Sequence, residues 1–305
     1  MDRLEAIKLF VRVLERGSFT KAAADLGIPR STASEVIRRL EKDLGSRLLE
    51  RTTRHIAATP DGDAYYQRCV TILADLEDAE RALRGHEPAG QLRIDAPGTL
   101  TRVFLLPRLA EFVERYPKLT LQLGQTERLV DLVREGVDCV IRAGEPEDSS
   151  LISRRLASMP EITCASPAYI ARHGTPESIA DLQGHHMIGF VSSRTGAPLP
   201  LEFTTGTGIE TVRLPAIMST NNADTAHHLA REGFGLAQAP KYRFADDLAS
   251  GRLVEVLPHA PPPPTLLAAY YPQNRQLSPR LRVFLDWLVT LFDDAAFQGC
   301  AGTRL

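Results

Sequence analysis

Apolar residues Leu4, Ile7, Phe10, Val11 and Leu14 recur at the three- and four-residue spacing of an amphipathic helix, and Gly17 ends the run. Ser18 is placed to cap a second, shorter helix, SFTKAAADLG, in which Ala22, Ala23 and Leu26 permit close packing and Gly27 supplies the stop. A third helix starts near Arg30 or Ser31 and ends at Gly45. It has Ala33, Ile37, Leu40 and Leu44 on one stripe and Ser31, Ser34, Glu35 and Arg38 opposite. Two short helices joined by a tight turn, the second polar at its start, predict a helix-turn-helix. The segment SRLLERTTRHIAATPDG then reads as a strand-turn-strand hairpin carrying Arg47, Arg51 and Arg54, so residues 1–60 predict a winged helix-turn-helix.

From Asp61 the period changes. Tyr65, Cys69, Ile72, Leu76, Ala79 and Leu83 follow at alternating spacings of four and three, the a/d seam of a coiled coil, flanked by charged residues. A narrow seam of this kind predicts self-pairing; a helix lying on its own chain's core is the other reading. RGHEPAGQ breaks this helix, so residues 61–90 read as a linker or dimerisation helix with a hinge.

The remainder, 91–300, alternates strand-like and helical runs. LRIDAP, LTLQLG and VDCVIRAG read as strands, and TRVFLLPRLAEFVERYP and TERLVDLVREG as helices: the β-α-β-α-β order of an open α/β sheet. A second unit begins near Thr163 and runs through GRLVEVLP. Pro261–Pro264 cannot sit in a central strand and reads as a crossover, after which TLLAAYY and SPRLRVFLDWLVTLF return a strand and a helix to the first unit. Lobe 1 is thus expected at about 91–161 and 266–295, and lobe 2 at about 162–265. The tail DDAAFQGCAGTRL shows no pattern.

Charge sharpens this division. The chain has a formal net charge of −2, but residues 1–60 contain 12 Lys+Arg and 8 Asp+Glu, a basic head of +4 on a body of −6. That asymmetry points to a polyanion partner for the head alone. No apolar run approaches the ~20 residues of a membrane span, and MDRLEAIKLF carries charges where a signal peptide needs an apolar core, so a cytoplasmic protein without a membrane partner is expected. Cys69, Cys139, Cys164 and Cys300 lack CxxC spacing, which predicts neither a disulfide framework nor a metal site.

With these parts in order, the chain resembles the LysR-type transcriptional regulators of bacteria from Met1 to roughly Phe292. The specific part is FVRVLERGSFTKAAADLGIPRSTASEVIRRLEKDLGSRLLERTTRHIAATPDG; SPAYIARHG and REGFGLAQAP are looser signals. The resemblance implies a winged helix-turn-helix and linker helix joined to a two-lobed α/β effector domain of the type 2 periplasmic-binding-protein kind. It also implies a homodimer or homotetramer that binds promoter DNA at an interrupted palindrome and responds to a small molecule between the lobes, with RNA polymerase a further candidate partner.

By the same resemblance, Arg30, Ser31, Ser34 and Glu35 occupy the positions that enter the major groove. Arg30 is then suited to a bidentate bond to guanine and Glu35 to accepting from cytosine N4. Thr20 and Arg38 are expected on phosphates and Arg54, in the wing, at the minor groove or its backbone. Glu35 departs from the family pattern, which often has arginine there; it either reads a base or is held by Arg38 or Arg39, the latter a favourable i,i+4 partner. In the body, Thr99, Thr126 and Asn222 stand where strands end or helices begin, positions that suit helix capping as well as ligand binding. The resemblance selects Thr99 and Thr126 as effector contacts, with Arg142 and Asn222 as further candidates, and the set suits a small organic anion.

An enzyme is not expected. No GxSxG, HExxH or Walker pattern occurs, Gly206-x-Gly208 and Gly233-x-Gly235 read as turns, and Ser149-Ser150 reads as a loop. The adjacent pairs His185-His186 and His227-His228 share no face and are expected to be exposed, so no metal or other cofactor is predicted. The alternative function is a small-molecule carrier with a degenerate DNA head.

Overall fold

α1 (Arg3–Arg16) opens with Asp2 and Glu5 in a reciprocal capping box, and α2 (Phe19–Asp25) is capped by the Ser18 side chain. α3 (Arg30–Leu44) ends at Gly45, whose φ of +67° is a left-handed conformation that favours glycine. The apolar stripes of the three helices meet in one core containing Leu9, Phe10, Val13, Ala22, Ala33, Ile37 and Leu40. These helices belong to a computed structural model that describes residues 2–51, 56–83, 87–128, 131–144, 151–193, 195–273 and 277–293.

Strands β1 (Leu49–Arg51) and β2 (Ile56–Ala58) pair antiparallel as the wing. The Glu41 carboxylate accepts the N–H groups of Leu48 and Leu49 at 2.9 and 3.1 Å, fixing the base of the hairpin to α3. α4 (Pro60–Leu83) then starts hard against this base: a Cβ on Gly62 would lie 1.9 Å from the Leu48 carbonyl oxygen, so only glycine fits.

The seam predicted along α4 divides. Tyr65 packs on Phe10 with ring centroids 5.5 Å apart, and Cys69 is fully buried in the same helix-turn-helix core. Cys69 is therefore not available to a partner helix, contrary to the seam reading at that position, and half-buried Tyr65 already spends one face on α1. A four-three spacing serves either partner equally, and here the chain's own α1 takes the first turns. Ile72 is 51% exposed and Leu76 is half-buried, while the side chains of Ala79 and Leu83 lie outside those described.

Lobe 1 follows as β3 (Gly90–Asp95), α5 (Gly98–Leu100), α6 (Leu106–Arg115), β4 (Leu119–Gly124), α7 (Leu132–Glu135), β5 (Cys139–Ala143) and β6 (Leu151–Met159). A π turn, Thr101–Leu105, joins α5 to α6. Lobe 2 contains β7 (Glu161–Ala165), α8 (Pro167–His173), β8 (Gly189–Phe190), β9 (Leu201–Thr205), β10 (Gly208–Val212), β11 (Ser219–Thr220), α9 (Ala223–Arg231), β12 (Ala237–Pro240), α10 (Ala245–Ala249) and β13 (Val254–Val256). The chain then returns to lobe 1 with β14 (Thr265–Pro272) and α11 (Pro279–Asp293).

The lobe 1 sheet has the order β4-β3-β5-β14-β6. β3 pairs parallel with β4 and β5, and β14 pairs antiparallel with β5 and β6. Helices α6 and α11 and the π turn cover it through Phe104, Phe112, Phe284, Leu285 and Leu288, with Phe112 and Phe284 edge to face at 5.5 Å. In lobe 2 the sheet order is β12-β7-β13, around a core that includes Tyr169, Phe203 and Leu236. The two crossings between lobes lie side by side, because Thr265 pairs with Met159 and its hydroxyl donates to the carboxylate of Glu161.

Candidate DNA-binding surface and effector cleft

Pro29 precedes α3 in extended conformation and offers no side-chain cap, so the first N–H groups of the helix stay open toward the side that Arg30 and Ser31 occupy. Arg30, Ser31, Glu35, Arg38 and Arg39 are exposed and Ser34 is half-buried; Thr20 is exposed on α2. The acids that might quench the arginines are committed elsewhere. Glu41 holds the wing backbone, Asp43 lies 3.9 Å from Arg3, and Asp25 accepts from Arg16 at 2.6 and 3.2 Å. Among the described residues, Glu35 forms no ion pair with Arg38 or Arg39, so the pairing considered for it is not made. Arg54, predicted for the wing, lies outside the described residues.

The head is tied to lobe 1 through α4. The Arg93 guanidinium donates to the Gln67 side chain at 2.6 Å, and its backbone N–H donates to Asp138 at 2.9 Å. Asp138 also pairs with buried Arg280 at 3.4 Å, whose guanidinium reaches the Ala74 carbonyl of α4 at 3.4 Å. Burial pushes the Cys69 thiol up to about 11, which keeps it protonated and inert at neutral pH.

Three of the four candidate effector residues converge at the carboxyl ends of adjacent strands. Thr126, just after β4, donates to Asp95 at the end of β3 at 3.0 Å, and Arg142 on β5 donates to the same Asp95 oxygen at 2.5 Å and to the Thr126 hydroxyl at 3.2 Å. Gly124 makes room for this cluster, since a Cβ there would meet the Asp95 carboxylate at 2.4 Å. Thr99 sits on α5 after β3, only 8% exposed, and its hydroxyl donates across the lobe boundary to Asp224 on α9. Asn222 does cap α9, accepting from the Thr225 N–H at 2.8 Å, which is the capping role that its position also suggested.

Residues not foreseen from the sequence complete the face between the lobes. Arg102 donates to both oxygens of Asp224 at 3.2 and 3.1 Å and to the Thr99 hydroxyl at 3.1 Å. Glu127 accepts the Ala223 N–H at the start of α9 at 3.0 Å and lies 3.9 Å from Arg243. Burial works against the charge on Asp224, yet the bonds from Thr99 and Arg102 more than offset it and hold its carboxyl below the usual range. Burial dominates at Glu127 and raises its carboxyl despite Arg243 and the Ala223 N–H.

The histidines depart from expectation. His185 is buried with its Nδ1 3.1 Å from the Tyr169 hydroxyl, and His227 meets Asp247 at 2.5 Å, so one member of each adjacent pair is engaged inside lobe 2 rather than exposed. Among the described residues no group of three or more metal-ligating side chains comes together, and no helix is long and apolar enough to cross a membrane.

Comparison with known proteins agrees with this two-part layout. The model of bacterial regulatory helix-turn-helix proteins of the lysR family matches residues 4–63, and that of the LysR substrate binding domain matches residues 85–293. An HTH-type transcriptional repressor of Pseudomonas aeruginosa is 37% identical over 294 residues, spanning 96% of this chain and 93% of that protein. The HTH-type transcriptional regulator YhjC of Escherichia coli is 36% identical over 290 residues, spanning 94% and 97%. The solved structure of CrgA, a LysR-type transcriptional regulator from Neisseria meningitidis, superposes with a TM-score of 0.60 at 33% identity and covers 95% of this chain and 99% of that one. The chain therefore belongs to the LysR family: it is a transcriptional regulator with a helix-turn-helix DNA-binding domain followed by an effector-binding domain.

Proposed function

We propose that this regulator works in the cytoplasm as a homodimer or homotetramer that reads an interrupted palindrome in promoter DNA through α3 and changes its grip when a small organic anion enters between the lobes. The observation that carries this reading is the outward face of α3, where Arg30, Ser31, Glu35 and Arg38 stand exposed without an ion pair among the described residues. Arg30 is suited to guanine, Ser31 and Ser34 to base edges, and Glu35 to cytosine, while Thr20 and Arg38 are suited to phosphates. Among the described side chains of the α4 seam, exposed Ile72 and half-buried Leu76 are available to a second copy. Thr99, Thr126 and Arg142 are the hydroxyl and guanidinium groups with which the lobe boundary would hold a carboxylate, and Asn222 caps the helix that faces them.

The test is binding to duplexes selected from a random pool, followed by fluorescence anisotropy across a salt series. The expected result is nanomolar-range binding at low salt that weakens steeply as salt rises. Absence of binding even at low salt would favour a carrier with a degenerate head. For the cleft, thermal shift with a panel of carboxylates is expected to show stabilisation that disappears in Thr99→Ala/Thr126→Ala; stabilisation unchanged in that variant would place the ligand elsewhere.

A further inference from the structure

The Thr99 hydroxyl already holds a carboxylate, and it is the protein's own. Asp224, on the first turn of α9 in lobe 2, accepts from Thr99 and Arg102 of lobe 1, and Glu127 of lobe 1 accepts the adjacent Ala223 N–H of α9 at 3.0 Å. A hydroxyl and a guanidinium form a pair of donors for an anion beside the start of α9, whose own N–H groups are taken by Asn222 and Glu127, and both carboxylates present there belong to this chain. Two carboxylates cannot share one hydroxyl proton, and like charges in a half-buried site repel. Resting on the cleft reading above, we propose that Asp224 is an internal occupant of the effector's anion seat, and that an effector carboxylate binds by exchanging with it.

Two consequences follow from the tether. A carboxylate fixed on the same chain competes at an effective concentration of roughly millimolar or more, so simple acids are excluded and only a ligand with further contacts displaces it. Its displacement also breaks the Thr99 and Arg102 bonds across the lobe boundary, so the same exchange that admits the ligand loosens α9 from lobe 1 and leaves the Glu127 bond to the Ala223 N–H as its remaining tie there. Asp224 is thus a specificity-determining residue as well as a clasp. Its side chain is 38% exposed, so its removal leaves the core of lobe 2 intact.

The experiment is chemical rescue of the full-length protein by formate, with sodium chloride at equal ionic strength as control. Asp224→Ala is expected to melt below wild type, and formate is expected to raise its melting temperature by a few degrees in a saturable way, an effect of ligand binding to the folded state. Wild type is expected to respond to formate no more than to chloride, and Thr99→Val/Asp224→Ala to lose the rescue. Formate that stabilises Asp224→Ala no more than chloride does, or that stabilises wild type equally, overturns the proposal. Rescue of Asp224→Ala, together with DNA binding by wild type that ignores every acid in the carboxylate panel, upholds the seat and removes the effector reading instead.

Discussion

Arg30, Glu35 and Arg38 on α3 stand in solvent without an ion pair among the described residues, whereas Arg102, Arg142 and Arg243 between the lobes each have a carboxylate at 3.9 Å or less. The two regions use the same side-chain types under opposite conditions. In water an unpaired guanidinium costs little and remains available to phosphate or guanine. Arg142 and Arg243, with side chains only 15% and 11% exposed, must be answered at once, and the chain supplies Asp95 and Glu127, while the more open Arg102 is paired with Asp224. The head therefore gains contacts when its partner arrives, while the cleft has to trade them. This difference explains why a DNA-binding face is visible as a set of unsatisfied charges and a ligand site is not.

The sharpest way to break the comparison is to delete one arginine from each region. Arg142→Ala leaves Asp95, which is 5% exposed, with the Thr126 bond but without its cation, and should lower the stability of the effector domain by about 3 kcal/mol in chemical denaturation. Arg30→Ala should shift stability by less than about 0.5 kcal/mol yet weaken specific DNA binding by about 1–3 kcal/mol. Equal stability losses for the two variants would erase the distinction. Arg38→Ala should cost less, weakening binding evenly across sequences and lowering the magnitude of the log–log salt slope by about 0.9, the loss of one phosphate contact.

The smallest effect is on pH. The Asp224 carboxyl is held below its unfolded range, so its contribution to stability is present above about pH 4 and is lost as the pH falls through its folded value. Asp247 has the same sign: burial raises its carboxyl, but Arg252 and His227 more than offset that. Acid melts of the effector domain should accordingly fall below about pH 4, and Asp224→Asn should flatten part of that fall. A melting temperature independent of pH from 6 to 3 would contradict both assignments.

The head was the most legible part of the chain because its rules are local. Caps at Ser18 and Gly45 and stripes such as Ala33, Ile37 and Leu40 act within a few residues, and each lies where the spacing places it. α4 was only half legible, since Tyr65 and Cys69 satisfy the same spacing whether they meet α1 or a second copy. Strand β6 does not show in the hydrophobic pattern because its central residues Ser153, Arg154 and Arg155 are polar, as suits an edge strand paired, among the described residues, only with β14. Candidate site residues were legible where a strand ends, as at Thr99 and Thr126. Asp224, the partner of Thr99, is not, because it lies 125 residues away and on its own reads as an acid stabilising a helix start.

Sequence reading belongs to the open charges of α3 and not to the paired charges of the cleft. In vitro selection from random duplexes with wild type, Arg30→Ala, Glu35→Ala and Asp224→Ala tests it most directly. The two α3 variants are each expected to lose preference at particular base pairs of the motif, with Glu35→Ala relaxing a cytosine position, while Asp224→Ala selects the wild-type motif. Uniform tightening by Glu35→Ala with every base preference retained, or a motif altered by Asp224→Ala, would contradict it.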